Sequence, residues 1–358
     1  MNANQTFGLV CAHHHLYSSL ARGMPSPDKI PNSFGDILNL VWWKLDRALD
    51  LETIEWSAKL GALEALESGT TCIIDHHESP HAIEGSLTVI QDACHELGVR
   101  VNTCYGVTDR NCNDFSTDMA MTEEARRGLE ENRRFLQEGG LGMVGIHAAF
   151  TCTDETLNAA AQLASDMGVG VHVHVAEGDL DAISWRRLQQ HATDDWILVH
   201  GVLLPDNHQL RGIIIHNPRS NMNNSVGYAD PTRFENRVGL GTDGIGADML
   251  EEFRIGYARL REFNVEESPE TVWKMLDVNT ALFPECRQDK VTWSYKEMDP
   301  WHLAFTSGVR PVQIEIDGKP IMRNGEFLDI DSAEIRAKAG EAAEKLFKKI
   351  KAVSYTHL

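Results

Sequence analysis

Short apolar runs alternate with longer stretches of helical periodicity over most of this chain, from residue 8 to about residue 282. Each run is four to eight residues long, which is the length of a strand buried in a parallel sheet. The runs are residues 8–12, 71–75, 100–105, 142–146, 168–175, 196–199, 212–216 and 237–241. The stretches between and after them include predicted helices at residues 51–67, 82–97, 121–137, 154–167, 248–263 and 268–283. Strands that alternate with helices predict an α/β fold with a parallel sheet.

Eight strands with intervening helices over about 275 residues predict a (β/α)8 barrel of the TIM type. A doubly wound open sheet is the alternative that the pattern leaves open. The length of 358 residues would also suit two or three domains of ordinary size. We expect instead one barrel at 8–285, a reduced β appendage at 286–330 and a C-terminal helix at 331–353.

The pattern of the chain changes after the predicted barrel. Residues 311–327 have the alternation of a β-hairpin with an Asp-Gly turn at 317–318. Residues 331–351 place apolar side chains such as Ile335 and Leu346 on one face, which predicts an amphipathic helix that docks on the surface. We expect the last five residues, SYTHL, to form an unstructured tail.

Charge and cysteine content restrict the partners and the compartment. The chain has 33 basic and 53 acidic side chains and a net charge of −20, which argues against nucleic acid and against an anionic membrane surface as partners. No stretch is apolar enough to cross a bilayer, and the first 30 residues lack the pattern of a secretory signal. The seven cysteines include no C-x-x-C pair and suit a reducing compartment. We therefore expect a cytoplasmic protein.

Three consecutive histidines follow the first predicted strand. Residues i and i+2 of a strand point to the same side, so His13 and His15 can face one point while His14 faces away. Two imidazoles on one side, at the mouth of a barrel, form half of a typical metal site. A run of surface histidines is the alternative interpretation of this motif alone.

Three further polar clusters follow other predicted strands. His174 and Glu177 end the fifth strand, His200 ends the sixth, and Asp243 follows the eighth inside a glycine turn. The carboxyl ends of the strands meet at the face of a barrel where active sites are built. Two histidines from the first strand, one from the fifth and the aspartate would supply three nitrogens and one carboxylate. Such a set leaves a coordination position open for water, as a catalytic site requires.

Together with their flanking motifs, these clusters resemble the amidohydrolase superfamily, in its cytosine deaminase and triazine hydrolase branch. Within that branch the chain is most similar to the SsnA group of aminohydrolases. The superfamily motifs are GLVCAHHH (8–15), HVHVAE (172–177), LVHG (198–201) and LGTDG (240–244), and the group motifs include SGTTCIIDHHESP (68–80), TDRN (108–111) and HNPRSNMNN (216–224). The resemblance covers about residues 8 to 350 and implies a TIM-like metal-dependent hydrolase barrel.

The resemblance also implies roles for the clustered residues. The implied metal ligands are His13, His15, His174 and Asp243. They would bind one divalent ion, for which we expect zinc with iron as the alternative, because both ions accept imidazole and carboxylate. Glu177 would be the proton shuttle, His200 would hydrogen-bond the attacking water, and Asp243 would also take the proton of that water.

Other residues are weaker candidates for contact with the substrate. They are His147 after the fourth strand, His77 after the second, and His216, Arg219 and Asn221 after the seventh. For His147 and His77 the alternative is a structural histidine at the edge of the core. Residues 42–47 could form a helical lid over the pocket, and ordinary core packing is the alternative for Trp42 and Trp43.

The chain departs from the pattern of the superfamily at its N-terminus. Members carry strands before the first metal motif, and these join C-terminal strands in a small β-sandwich, whereas only seven residues precede Gly8 here. The strand-rich segment after the barrel is also short. We therefore expect either a reduced sandwich or a truncated gene product.

The resemblance implies hydrolysis of a carbon–nitrogen bond other than a peptide bond. Our leading prediction is a deaminase of a small purine-like or pterin-like heterocycle, and hydrolysis of an amidine or a cyclic amide is close to it. Dehalogenation of a triazine-like ring is an alternative that would use the same metal chemistry. A non-catalytic metal-binding barrel is a third alternative. The oligomeric state is left open, with a homo-oligomer as one option.

Overall fold

The computed structural model describes residues 1–353, so the tail predicted at 354–358 lies outside the described residues. Two sheets form its framework. Their strands are β1 Gln5–Thr6, β2 Leu9–His14, β3 Thr70–His77, β4 Arg100–Val107, β5 Val144–Ala148, β6 Val171–Val175, β7 Ile197–His200, β8 Ile213–His216, β9 Val238–Leu240, β10 Lys290–Trp293, β11 Pro311–Ile316, β12 Lys319–Arg323 and β13 Glu326–Phe327.

Strands β2 to β9 form one parallel sheet in sequence order. The sheet curls until its first and last strands meet, because His14 forms a parallel bridge with Asp243 just after β9. The eight predicted apolar runs supply these eight strands, and the predicted (β/α)8 barrel is confirmed. The doubly wound open sheet is excluded by this closure.

The predicted helices pack around the barrel. The helices of the structure are α1 Phe34–Ile37, α2 Trp43–Ala48, α3 Leu51–Glu67, α4 Ser86–Glu96, α5 Glu123–Gln137, α6 Asp154–Met167, α7 Pro218–Asn223, α8 Met249–Phe263, α9 Pro269–Leu282, α10 Pro300–Phe305 and α11 Ser332–Val353. The connection from β6 to β7 has only short 3-10 turns, and residues 201–212 between β7 and β8 have no helix. The barrel wall is therefore thinner beside β7 than elsewhere.

The barrel interior changes from apolar to polar toward the carboxyl ends of the strands. Cys72 and Ile74 of β3 pack in one cluster with Ile197 and Val199 of β7. Side chains alternate between the two faces of a strand, so the next inward position of β3 is His76, which is fully buried. The polar layer thus begins directly above an apolar layer that closes the barrel from below.

The second sheet is antiparallel and has the strand order β1, β10, β11, β12, β13. The predicted hairpin supplies β11 and β12, with Asp317 and Gly318 at its turn in the left-handed backbone region. Residues 5–6, which precede the first metal motif, pair with β10 and form an edge of this sheet. The reduced β unit therefore combines residues from before and after the barrel.

Helix α11 packs against α3 and α2 through the apolar face that the sequence predicted. Ala339, Ala342 and Leu346 are buried there. Its first turn is capped by Asp331, whose carboxylate accepts a hydrogen bond from the backbone nitrogen of Glu334 at 2.9 Å. The amphipathic docking helix is thus confirmed.

A buried carboxylate joins the second sheet to the barrel. Asp289 precedes β10 and accepts hydrogen bonds from Nη1 of Arg100 at 2.7 and 2.9 Å and from the hydroxyl of Thr71 at 2.6 Å. Its side chain is fully buried, and that of Arg100 is 15% exposed. The loss of one partner of such a pair leaves the other buried without compensation.

We expect Asp289→Ala to lower the free energy of unfolding by about 3 kcal/mol, because Thr71 would lose its acceptor and Arg100 would keep only its ion pair with the exposed Asp317. Urea unfolding followed by circular dichroism measures this change. The control is Asp194→Ala, whose ion pair with Arg211 is exposed and should contribute less than about 1 kcal/mol. Equal effects of the two substitutions would show that Asp289 does not join the sheets.

Candidate active site

Two histidines at the polar end of the barrel are oriented by backbone carbonyls. Nδ1 of His15 donates to the carbonyl oxygen of His76 at 2.6 Å, and Nδ1 of His174 donates to that of His147 at 2.6 Å. A carbonyl oxygen can only accept, so the proton of each neutral ring is on Nδ1. In the neutral form of both rings Nε2 therefore has a lone pair, and this is the form in which a histidine binds a metal.

A third histidine is oriented by another histidine. Nδ1 of His13 lies 2.9 Å from Nε2 of His172, and both rings are fully buried. Nε2 of His13 lies 3.4 Å from Oδ1 of Asp243. If Nδ1 of His13 donates to His172, the Nε2 lone pair of His13 points toward the carboxylate.

The spacing of these atoms fits the ligands of one divalent ion. Nε2 of His15 lies 3.0 Å from Oδ1 of Asp243 and 3.2 Å from Nε2 of His174. Ligand atoms about 2.0–2.1 Å from a tetrahedral zinc ion are about 3.3 Å apart. The three histidines and the aspartate predicted from the sequence therefore lie together in an arrangement that suits a divalent metal ion.

The protonation states also fit a cation site. Burial lowers the pKa of His13 to about 3 and that of His174 well below its usual range. Burial opposes protonation of His15 too, but Asp243, through its hydrogen bond and its charge, raises the pKa of His15 to about 9. Burial would raise the pKa of Asp243, but the hydrogen bonds with His13 and His15 hold it well below its usual range. The carboxylate thus stabilises positive charge between neutral rings.

His200 and Glu177 lie beside this group. Nδ1 of His200 donates to Oδ1 of Asn221 at 2.8 Å, which leaves Nε2 buried, without a hydrogen-bond partner and 3.5 Å from Oε2 of Glu177. One nitrogen of His200 lies within 4.8 Å of ligand atoms of His13, His174 and Asp243. Burial raises the pKa of Glu177, so its carboxyl group can hold a proton closer to neutral pH.

The backbone is strained where the strands end at the site. Ala176, His200 and Asp243 have φ values of 50°, 74° and 54°, a region that residues other than glycine rarely adopt. Each of these three residues ends a barrel strand or follows one. Its own side chain, or that of a neighbouring residue, points toward the candidate metal site. Strain of this kind persists where the surrounding structure enforces it, and it is concentrated at functional sites.

A cavity of about 600 Å³ opens above these residues. Phe34, Leu38, Trp42 and Trp43 form an apolar wall on the segment that contains α1 and α2. The rest of the lining is mainly polar and consists of His15, Tyr17, Ser18, Glu78, His147, His174, Glu177, Ser220, Asn223, Asn224, Asp243, Gly244 and Ile245. Its mixture of aromatic and polar groups is typical of a small-molecule site. The predicted lid segment thus lies over the cluster.

Of the five predicted substrate contacts, only His147 is among the residues that line the cavity. His77 faces the other side of β3 and bonds to Ser79 at 2.8 Å. Arg219 is held by Glu252 at 3.0 Å.

The two remaining candidates lie below the lining. Asn221 is occupied by His200, and His216 is buried near the ring of Tyr228. The cavity is lined instead by other side chains in or just after α7, namely Ser220, Asn223 and Asn224.

Several residues at the site were not singled out from the sequence. His172 lies two residues before His174 on the same strand, so the two-residue period of a strand could have identified it. The same rule places His76, and not His77, inside the barrel. His76 also lies within ligand distance of His15 and His174. Glu78 on the cavity wall follows no local pattern, because its partners come from distant segments.

The sequence profile of the Amidohydrolase family matches residues 6–281. The chain belongs to this family. The predicted resemblance is therefore confirmed at the level of the superfamily, and so is the prediction of an amidohydrolase enzyme.

Curated relatives cover nearly the whole chain. A 5'-deoxyadenosine deaminase of Methanopyrus kandleri is 26% identical over 95% of this chain and 86% of its own length. A 5-methylthioadenosine/S-adenosylhomocysteine deaminase of Syntrophomonas wolfei is 27% identical over the same shares of the two chains. Both relatives are named as deaminases.

Solved structures have the same fold. An adenosine deaminase of Xanthomonas campestris with bound zinc superimposes with a TM-score of 0.78 at 19% identity, over 96% of this chain and 86% of that one. An atrazine chlorohydrolase of Arthrobacter aurescens in complex with zinc also has a TM-score of 0.78 at 19% identity, over 95% and 88%. In residues 1–353 we find no helix with the length and apolar character needed to span a bilayer.

We expect His172→Leu to weaken zinc binding about 10- to 100-fold, because Nδ1 of His13 would lose its hydrogen-bond partner and the orientation of the ring would relax. Competition with a fluorescent chelator measures the zinc affinity. The control is His77→Asn, which changes a buried histidine on the other face of β3 and should leave the affinity unchanged. Equal losses in both variants would indicate a general effect of the interior histidines on folding.

Proposed function

We propose that this chain is a metal-dependent aminohydrolase that removes an amino group from a purine-type heterocycle. The observation that carries the proposal is Glu177, a buried carboxyl group with a raised pKa that lies on the cavity wall beside His200. Hydrolytic deamination needs both an activated water and an acid that protonates the leaving nitrogen. Glu177 is suited to be that acid.

The proposed cofactor is one divalent ion, zinc in first place and iron as the alternative, held by His13, His15, His174 and Asp243. When bound, such an ion lowers the pKa of a water molecule toward 7. The fit of the ligand spacing and the neutral state of His13 and His174 support this assignment.

The side chains at the site have separate roles in water binding and proton transfer. One nitrogen of His200 lies within 4.8 Å of a carboxylate oxygen of Asp243, and the two side chains can hold the attacking water by hydrogen bonds. Asp243 is ionised, because its pKa is held low, and it can therefore accept the proton of that water. Glu177, fixed by Nδ2 of Asn224 at 3.4 Å, delivers a proton to the departing nitrogen as ammonia leaves.

The proposed substrate is a small neutral heterocycle of the purine nucleoside or base type. The names of the curated relatives support this class. Trp42 and Trp43 on the lid segment offer aromatic surface for a planar ring. The net charge of −20 argues against nucleic acid as substrate. We also infer a cytoplasmic location, since all seven cysteines are free.

We expect zinc-loaded protein to release ammonia from at least one member of a panel of amino heterocycles. The panel contains 5'-deoxyadenosine, 5'-methylthioadenosine, S-adenosylhomocysteine, adenosine, adenine, guanine and a pterin. Removal of the metal with a chelator should abolish release, and added zinc should restore it. A chloro-triazine in parallel detects dehalogenation through chloride. Folded protein that holds no metal, or that releases no ammonia from any compound, would contradict the proposal.

We expect Glu177→Gln to retain the metal and to lower the rate of ammonia release by about 10²- to 10⁴-fold, because an amide cannot donate the required proton as a carboxylic acid does. Metal content by atomic absorption and turnover are measured on the same preparation. Asp243→Asn is the comparison, and it should lose both metal and rate. Loss of metal in Glu177→Gln would instead identify Glu177 as a ligand.

A further inference from the structure

Glu78 is a buried carboxylate on the cavity wall that takes no part in the proposed chemistry. It follows β3, is 3% exposed and lines the cavity. Its Oε2 accepts a hydrogen bond from Nη1 of Arg110 at 2.6 Å. Its Oε1 lies 3.8 Å from Nε2 of His147 and 3.8 Å from Nδ1 of His76, beyond hydrogen-bond distance in both cases. One of its two oxygens is therefore free to bind a ligand.

The neighbouring nitrogen of His147 is also an acceptor. Nδ1 of His147 lies 2.7 Å from the hydroxyl oxygen of Thr151, and that hydroxyl donates its one proton to the carbonyl of Ala148 at 3.0 Å. In that arrangement Nδ1 donates toward Thr151, and Nε2 of the neutral ring has a lone pair. Two acceptors thus lie 3.8 Å apart on one wall of the cavity.

Arg110 fixes Glu78 in place and keeps it ionised. Its guanidinium group is 4% exposed and lies between the carboxylates of Glu78 and Asp46, with its centre 5.0 Å from the ring of Trp43. Asp46 and Trp43 belong to α2 of the lid segment. A charge-assisted hydrogen bond to a buried guanidinium holds a carboxylate in one orientation. Oε1 is therefore presented to the cavity as a fixed acceptor.

We propose that Glu78 determines substrate specificity by accepting, through Oε1, a hydrogen bond from an N–H or O–H group on the edge of the substrate that is remote from the attacked carbon. Nε2 of His147 is the adjacent acceptor for the same edge. The inference rests on the proposed function, because it takes a heterocycle as the occupant of the cavity. Two sources can supply the donor, namely ribose hydroxyls and a ring N–H of a free base.

The energetic argument concerns an unpaired buried charge. A ligand that lacks the donor leaves the ionised Oε1 desolvated without a partner, and sites built around such a group reject the analogue that cannot bond to it. A donor-bearing ligand should be preferred by about 10- to 100-fold. The preference should lie in binding, since Glu78 lines the cavity beside His147 and is not one of the proposed metal ligands or proton-transfer residues.

The experiment compares ligands that differ by one donor. Zinc-loaded protein carrying Glu177→Gln, which slows turnover, is titrated by calorimetry in two arms. One arm pairs 5'-deoxyadenosine with its 2'-deoxy and 3'-deoxy analogues, and the other pairs adenine with 9-methyladenine. The same titrations are repeated with Glu78→Gln and with Glu78→Asp added. Glu78→Gln preserves an acceptor for Arg110, and Glu78→Asp preserves the charge but withdraws it from the cavity.

A matched control is Glu131→Gln. Glu131 is likewise buried and paired with an arginine, Arg134, at 2.8 Å, but it is remote from the cavity lining. We expect a preference for the donor-bearing ligand in one arm, which identifies the source of the donor. Both Glu78 variants should reduce that preference at least tenfold, whereas Glu131→Gln should preserve it.

Three outcomes would overturn the assignment: no preference in either arm, no binding of any ligand, or a preference that survives in both Glu78 variants. Ammonia release by protein with native Glu177 is measured separately. A donor preference without ammonia release would retain the role of Glu78 and reject the deaminase. Ammonia release with an unchanged preference in the Glu78 variants would reject Glu78 and retain the deaminase.

Discussion

The junction between the first and last barrel strands is the contact on which the site depends. The backbone nitrogens of Thr242 and Asp243 donate to the carbonyl of His13 at 3.0 and 3.2 Å, and that of His15 donates to the carbonyl of Asp243 at 3.3 Å. These bonds close the barrel. They also bring the carboxylate of Asp243 against two histidines that are more than two hundred residues away in sequence. The contacts that close the barrel therefore also bring the candidate metal-ligand atoms together. The positive φ of Asp243 is the local backbone strain at this junction.

Much of this organisation could be predicted from the sequence, because it follows local periodicity. The strands were predictable from short apolar runs, and His13, His15, His174 and Asp243 from their positions at strand ends. Residues at the carboxyl ends of the strands of a parallel barrel lie close together, even when they are far apart in sequence. The pairing of β1 with β10 was not predictable, since two residues carry no periodic signal.

The network of Glu78, Arg110 and Asp46 was not predictable for a different reason. Its members are separated by 32 and 64 residues and occur after β3, after β4 and in the lid segment. No rule of sequence spacing predicts that a side chain of a lid helix contacts a side chain of a distant loop. Four of the five predicted substrate contacts rested on position after a strand, and for Arg219 and Asn221 in α7 that position does not tell which side chains face the cavity. Asn221 supports His200 from below, and Arg219 is already neutralised by Glu251 and Glu252.

The charges of the cavity restrict what can enter it. Glu78, Glu177 and Asp243 line the cavity, whereas no lysine or arginine of residues 1–353 is among the lining residues. Arg110, the buried cation behind this wall, is shared by two carboxylates and has no charge to spare for a ligand. An anionic group of a substrate would therefore find no basic side chain of residues 1–353 as a partner in the lining. A neutral ring can pack against the apolar wall of the cavity, and donors on its outer edge can bond to the free acceptors of the opposite lining. The charge distribution and the free acceptors therefore favour the same class of ligand.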